Sequence, residues 1–339
     1  MRHLTGQTVR LPEIKKRLCK ITEALFFWIK YRNYDNLIIN SQEDCHPLKR
    51  YHTFIIGHIS LDIIITHDGE ESFLTGGAVI HSSHSAKAGG NRVGVLTKTA
   101  LSDRNLLKAF NIGSEDIYYL PSENTTSIRN EFYTADRERR KCTALSIADP
   151  FTIADIPEGI QSDIYHLAGL IYGDFSPELI THLSAKGAVA VDMQGFLRVA
   201  EKGEMFFRDW ALKKELLPHI SYLKTDAAEA EVLTGEKERE KAAETLFLWG
   251  APEIMITHND EVIIFDKEGF HRAPLKPRNL SGRTGRGDTC FSAYITERNQ
   301  KGVDESLQYA AALVSLKMET PGPFKGSRGD VEQYMKDFY

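Results

Sequence analysis

Gly282-Arg283-Thr284-Gly285-Arg286-Gly287-Asp288-Thr289-Cys290-Phe291-Ser292-Ala293-Tyr294-Ile295 begins as a loop and ends as a helix. Its three glycines permit backbone angles that other residues avoid. After Asp288 the polarity falls, and Phe291, Ala293, Tyr294 and Ile295 read as the start of a buried helix. A glycine-rich loop entering a helix presents unpaired N–H groups and the positive end of the helix dipole. That is an anion site, and phosphate is its usual occupant. Asp288 has two readings. An acid in the first helical turn suits the dipole for structural reasons alone. A base beside a phosphate-sized hole is what phosphoryl transfer to a hydroxyl requires. The stretch lacks the spacing of a P-loop and of the dinucleotide fingerprint.

The 339 residues are 42% hydrophobic, enough for a large core with one main domain and an appendage. A net charge of -5 gives no basic footprint for nucleic acid, and no apolar run is long enough to cross a bilayer. Cys19, Cys45, Cys142 and Cys290 are scattered, as reduced thiols of a cytoplasmic protein would be. Cys290 sits where a helix N-terminus lowers a thiol pKa, but packing is the plainer reason for it.

Residues 1 to 50 stand apart. Leu11, Ile14, Leu18, Ile21, Leu25, Trp28 and Ile29 fall at helical spacing, with Lys15, Lys16, Arg17 and Lys20 on the polar side. A membrane-surface helix, a targeting peptide and a loosely attached extension are the alternatives, and the extension is favoured. Thr53 to Ile59 is a continuous apolar run and reads as a first buried strand, with Asp62 just beyond its end. Residues 62 to 76 read as short strands, and Gly76-Gly77 opens a small-residue helix to about Ala88. His81 and His84 lie at helical spacing, without a clear third metal ligand. Val93 to Thr97 reads as a strand and Ser102 to Phe110 as a helix. Thr125 to Ala148 alternates polar and apolar residues, as antiparallel strands do, with Asp136 to Lys141 as the turn. From 160 onward strands and helices alternate. Strands are expected at Asp163 to Ala168, Gly187 to Asp192, Ser221 to Lys224 and Glu253 to His258. Helices are expected near 176 to 185, 204 to 217 and 237 to 249, the first with Ser176 as N-cap. Val262 to Phe265 reads as an antiparallel neighbour, and Ser306 to Met318 as a helix. This pattern implies a parallel sheet covered on both faces.

Two strand ends carry polar groups. Asp192 and Gln194 stand where they can meet ring hydroxyls, unless they only hold their own loop together. Asp226 and Glu229 lie one helical turn apart and face one way. On spacing alone they read as the acidic first turn of a helix, which suits the dipole for purely structural reasons.

The loop resembles the second signature of the PfkB (ribokinase-like) carbohydrate kinases, through Gly285, Gly287 and Asp288. Arg286, and Gly282-Arg283 before it, depart from the usual pattern in the way the myo-inositol kinase branch does. Asp192-Met193-Gln194-Gly195-Phe196-Leu197-Arg198 is similar to that branch too. The resemblance spans about 51 to 325. It implies a three-layer α/β/α sandwich with a mostly parallel central sheet and a small β lid, from strands near 62 to 76 and 125 to 148. It implies transfer from ATP, with Mg2+, to a polyol or sugar, with myo-inositol leading. Another sugar, a sugar acid, a nucleoside, or a silent binding protein on the same scaffold stay open. Asp288 would be the base, and the N–H groups of Gly285, Arg286 and Gly287 would hold the phosphoryl charge. Asp62, Gly76, Gly77, Asp192 and Gln194 would bind substrate. Lys224, Thr257, Arg283, Ala311 and Ser315 would line the nucleotide, and Asp226 and Glu229 would order the metal. The expected partners are small molecules and a second copy through the lid, with neither nucleic acid nor membrane.

Overall fold

The computed structural model describes residues 48–134 and 140–339. The amphipathic pattern over 11 to 32, the rest of the extension up to 47, and residues 135 to 139, which take in all of the expected turn but Arg140 and Lys141, lie outside them. In chain order come β1 (Lys49–Ile56), β2 (Ser60–Ile65), β3 (Glu71–Gly76), α1 (Ala78–Ala88), β4 (Val93–Ala100), β5 (Ile117–Ser122), β6 (Thr126–Phe132), β7 (Arg140–Ser146), β8 (Ile160–Leu167), α2 (Glu178–Ser184) and β9 (Ala188–Asp192). Then follow α3 (Gln194–Leu197), β10 (Arg198–Glu201), β11 (Glu204–Phe207), α4 (Lys213–Leu216), β12 (Tyr222–Asp226), α5 (Ala227–Thr234), α6 (Arg239–Leu248), β13 (Ile254–Thr257), β14 (Glu261–Asp266), β15 (Gly269–Pro274), α7 (Arg286–Arg298), α8 (Val303–Met318) and α9 (Arg328–Phe338).

Thr53, Phe54, Ile55 and Ile56 are all fully buried, as a strand covered on both faces must be. Successive residues of a strand point to opposite faces, and the core divides accordingly. Phe54, Ile56, Val189, Val191, Ile254 and Ile256 pack with Leu183, Leu233 and Leu246 of α2, α5 and α6. Ala190, Met255 and Ile264 pack with Phe291, Val314 and Val331 of α7, α8 and α9. Ile55 and Val95 pack with Val79 of α1. The result is the three-layer sandwich. Its sheet runs β15-β14-β13-β12-β9-β8-β1-β4-β5. The strands from β13 to β5 are parallel, and β14 and β15 are antiparallel additions at one edge.

A second, smaller sheet runs β10-β11-β7-β6-β2-β3. Its strands come from three excursions of the chain, leaving the large sheet after β1, β5 and β9. The expected antiparallel pair is β6 with β7, and Asp62 lies within β2 rather than in a loop.

Three expectations need correction. The helix expected at 204 to 217 is strand β11 followed by a short α4 and a 3₁₀ turn at Leu217–His219. Phe206-Phe207 favours a strand, and β11 has β10 and β7 to pair with. Residues Leu101–Ala109 form a 3₁₀ helix instead of an α-helix. The Ser176 hydroxyl caps nothing; α2 has no side-chain cap, and Ser176 contributes only its carbonyl, to the Leu179 N–H at 3.0 Å. Strands β5, β10 and β15 and helix α9 have no counterpart among the expected elements. No helix of the described residues is long and apolar enough to cross a membrane.

Candidate active site

The parallel strands end at one edge of the sheet, and Asp192, Asp226 and Thr257 are the last residues of β9, β12 and β13. The loop into α7 reaches the same place. Gly285 is the N-cap of α7 at φ +75, and no side chain caps it. A Cβ on Gly285 would lie 2.3 Å from the His81 ring, so only glycine fits. The Arg286 N–H closes a turn on the Arg283 carbonyl at 3.2 Å. Asp288 is the third helical residue, half-buried and free of capping duty. Burial, then the like charge of Asp192, push its carboxyl up to about 6 against the pull of Lys224, Arg198 and Lys317.

Lys224 is the hub. Its ammonium is 3.1 and 3.0 Å from the two Asp192 oxygens and 3.8 Å from Glu229. A Cβ on Gly287 would come within 3.0 Å of the same nitrogen. Burial disfavours the charge, but Asp192, Glu229, Asp226 and Asp288 together hold the Lys224 pKa above its usual value. Asp192 also accepts from the Gln194 N–H (3.1 Å), and Gln194 accepts from Arg198 of the lid (2.7 Å).

Asp62 lies where the lid meets the sheet. Burial pushes its carboxyl up to about 6, opposed by the Ser60 hydroxyl and by Arg140 and Arg198. Its Oδ1 is buried without a hydrogen-bond partner. A Cβ on Gly76 would collide with Asp62 Oδ2 at 2.6 Å, and one on Gly77 with the His58 carbonyl at 2.5 Å. The glycine pair therefore lets α1 start against the Asp62 carboxylate.

Asp226 and Glu229 form a capping box. The Glu229 N–H donates to Asp226, and the Asp226 N–H to Glu229, each at 2.8 Å. Each carboxylate thus gives one oxygen to the start of α5. Burial pushes Glu229 up to about 7, with Lys224 opposing. Among the described residues no three His, Cys, Asp or Glu side chains are placed to hold a metal ion.

Asn259, in the β13–β14 turn, accepts from both Arg283 and Arg286, each at 3.2 Å. Two guanidiniums therefore flank the loop. Thr257 and Ala311 are buried. The buried Ser315 hydroxyl accepts from the Lys276 N–H at 2.9 Å and meets the Tyr339 hydroxyl at 3.0 Å. Protein therefore covers that part of α8.

His81 is pressed against Gly285, its Nδ1 unpartnered. Burial, then Lys317, push its pKa down to about 3, so the ring is neutral. His84 instead meets the carbonyls of Phe324 (3.0 Å) and Ala109 (2.9 Å). Cys290 is a buried free thiol that burial pushes up to about 12, so it packs rather than reacts.

Sequence reading missed Lys317. Its buried ammonium donates to the carbonyls of Gly282 (2.6 Å) and Thr284. The signal was present: Ala310, Leu313, Val314 and Lys317 keep one helical spacing, which puts a charge on the buried stripe of α8.

Residues 55–327 match the pfkB family of carbohydrate kinases. A cytidine kinase from Thermococcus kodakarensis is 25% identical over 248 residues, 71% of this chain and 86% of that protein. A pyrophosphate-dependent kinase of the ribokinase family, solved with a pyrophosphate analogue and myo-inositol, superposes with a TM-score of 0.75 at 33% identity, covering 83% of this chain and 99% of its own. Arabidopsis thaliana ribokinase, solved with ribose and ATP, shares the fold at a TM-score of 0.67 and 15% identity, over 85% of this chain and 99% of its own.

Proposed function

Because the chain belongs to the pfkB family of carbohydrate kinases, we propose that its phosphotransfer runs from pyrophosphate to a hydroxyl of a cyclic polyol, with myo-inositol as acceptor. The observation that carries this reading is Asp288, an uncapped carboxylate beside an open helix N-terminus. Asp288 takes the proton of the attacking hydroxyl. The acceptor oxygen bonds to phosphorus as the bridging P–O bond of the donor breaks, and inorganic phosphate leaves. The loop N–H groups of Gly285 and Gly287, with the Lys224 ammonium, stabilise charge on the transferred group, while the Arg286 N–H, expected to join them, holds the turn on the Arg283 carbonyl. Asp62, Asp192 and Gln194 orient the ring, with the unpartnered Asp62 Oδ1 available to its hydroxyls. The lid, closed over the ring, excludes water.

Two features favour pyrophosphate over ATP. Arg283 and Arg286 bring planar cations to the loop, suited to phosphate oxygens. The α8 surface expected to take adenine is covered, with the Ser315 hydroxyl engaged by Lys276 and Tyr339. The solved relative at 33% identity also uses pyrophosphate. Asp226 and Glu229 fit magnesium held mainly through water, since each already gives one oxygen to a cap. When bound, the ion neutralises charge on the donor oxygens. A second copy on the lid is the expected partner, and the lid exposes Phe73, Leu74 and Tyr133.

The test is phosphoryl transfer from pyrophosphate or ATP, with and without magnesium, to a panel of polyols, sugars, sugar acids and nucleosides. Turnover of pyrophosphate with myo-inositol is expected. Turnover with ATP alone overturns the donor reading and keeps the acceptor. Phosphorylation of cytidine in place of myo-inositol overturns the acceptor, in line with the Thermococcus relative. Silence in folded protein favours a binding role on a kinase scaffold.

A further inference from the structure

Lys317 is buried in α8, and its ammonium turns to the backbone of the loop. It donates to the carbonyls of Gly282 and Thr284, on the loop's inner side. Gly282 is tied to the same helix a second time, its N–H donating to the Met318 carbonyl at 2.7 Å. A Cβ on Gly282 would lie 2.0 Å from the Thr320 carbonyl, so the loop is pressed directly on the end of α8.

The peptide group is planar and trans, so a carbonyl turned inward points the next residue's N–H outward. Holding the Thr284 carbonyl on Lys317 therefore aims the Gly285 N–H at the opposite side, where the anion binds. Holding the Gly282 carbonyl does the same for the Arg283 N–H. Backbone N–H groups turned to the same side of a loop offer an anion their positive ends. A cation behind the loop is thus what orients the donors in front of it.

We propose that the Lys317 ammonium is a built-in monovalent cation, a positioning residue that holds loop 282 to 285 in its anion-binding form in place of a dissolved ion. Backbone carbonyls converging on a small cation can replace its hydration shell, and an ammonium tethered by its own side chain meets that need without any salt. Its environment is consistent with this. Burial pushes the Lys317 pKa down to about 8, opposed by Asp288, so the charge persists at neutral pH. Removing the ammonium leaves two carbonyls facing a hole that a potassium or ammonium ion can enter.

The inference rests on the loop being the donor-phosphate site, so the test reads binding and melting as well as turnover. The full-length Lys317→Ala variant and the native protein are compared in tetramethylammonium chloride, then with potassium or ammonium chloride at equal ionic strength. Pyrophosphate affinity is measured by calorimetry. The variant should lose affinity on the order of 10- to 100-fold, the loss expected for hydrogen bonds from a charged group. Potassium or ammonium should restore most of it, while the native protein stays indifferent to the cation. Melting temperature gives a second readout that needs no donor: potassium should raise it in the variant and not in the native protein.

Native affinity in the variant overturns the proposal. So does a variant that stays weak, or stays unfolded, in every cation, and so does a native protein that itself needs potassium. If no acceptor is phosphorylated but the cation rescue appears, the clamp stands and the kinase reading falls. Turnover without rescue gives the reverse.

Discussion

Two helix starts at the same end of the sheet make opposite use of the same residue. In α5 the third helical residue, Glu229, turns back to the Asp226 N–H and closes a capping box. In α7 the third helical residue is Asp288, and nothing caps the helix. Far from the site, α9 repeats the closed form, with Asp330 accepting from the N–H and hydroxyl of Ser327 at 2.7 Å. Those bonds lower the Asp330 pKa, while burial beside Asp192 raises that of Asp288. An acid in the first turn is therefore not a functional signal by itself. Nor is a glycine N-cap enough, since α8 starts at Gly302 and carries the exposed Glu305 as its third residue; what sets Asp288 apart is its burial beside Asp192 and Lys224.

Four measurements test that contrast, in order of expected size. Asp288→Asn should lower turnover by about 10² to 10⁴, the usual loss of a general base, with the melting temperature unchanged. Near-native turnover would put Asp288 back among the structural acids.

Gly285→Ala should come next. It forces a residue with a side chain into φ +75 and against the His81 ring, costing roughly 1 to 3 kcal/mol of stability along with most of the activity. Adding His81→Gly should return part of the stability, because the two changes share one contact. Strict additivity would mean the backbone angle alone matters.

The third is pH. Asp288 acts ionised and its pKa is raised to about 6. Therefore kcat/KM should fall as pH drops through about 6, a limb shared with its coupled carboxylates. Stability should slope the other way. Asp62, Glu229 and Asp288 ionise earlier in the unfolded chain than in the fold, so stability should decline as pH rises from about 4 toward about 7. Glu229→Gln should flatten that decline in urea titrations; an unchanged slope would remove Glu229 as its source. The smallest effect is at α9. Ser327→Ala should cost about 2 to 4 °C in melting temperature and leave turnover alone. A loss of activity there would undo the division between closed and open helix starts.

The open start was legible because its evidence is local. Glycines at 285 and 287, an acid and a buried helix follow one another in the sequence, and so do the apolar residues of β1. The Asp-x-x-Glu of the capping box was equally local at 226 to 229, where spacing alone favours the acidic helix start and only the family resemblance suggests a metal. What stayed hidden depends on distant partners. β10 and β11 are four residues each and exist because they pair with one another and β11 with β7. Lys224 was expected beside a nucleotide, and only the fold reveals that it joins Asp192 to Glu229 behind Gly287. The cover on Ser315 comes from Tyr339, 24 residues further along the chain.

The smaller sheet is built from three excursions that leave the large sheet after β1, β5 and β9. It is therefore not a module that can be cut out or transplanted by joining one pair of ends. Deleting the β2–β3 hairpin would bare an edge of β6 and take Asp62 with it; deleting β10 and β11 would bare β7 and take Arg198. A recombinant carrying another protein's lid would need three matched crossovers, two of which carry residues of the site. For this chain, exchanging the cover and exchanging the binding pocket are a single genetic operation.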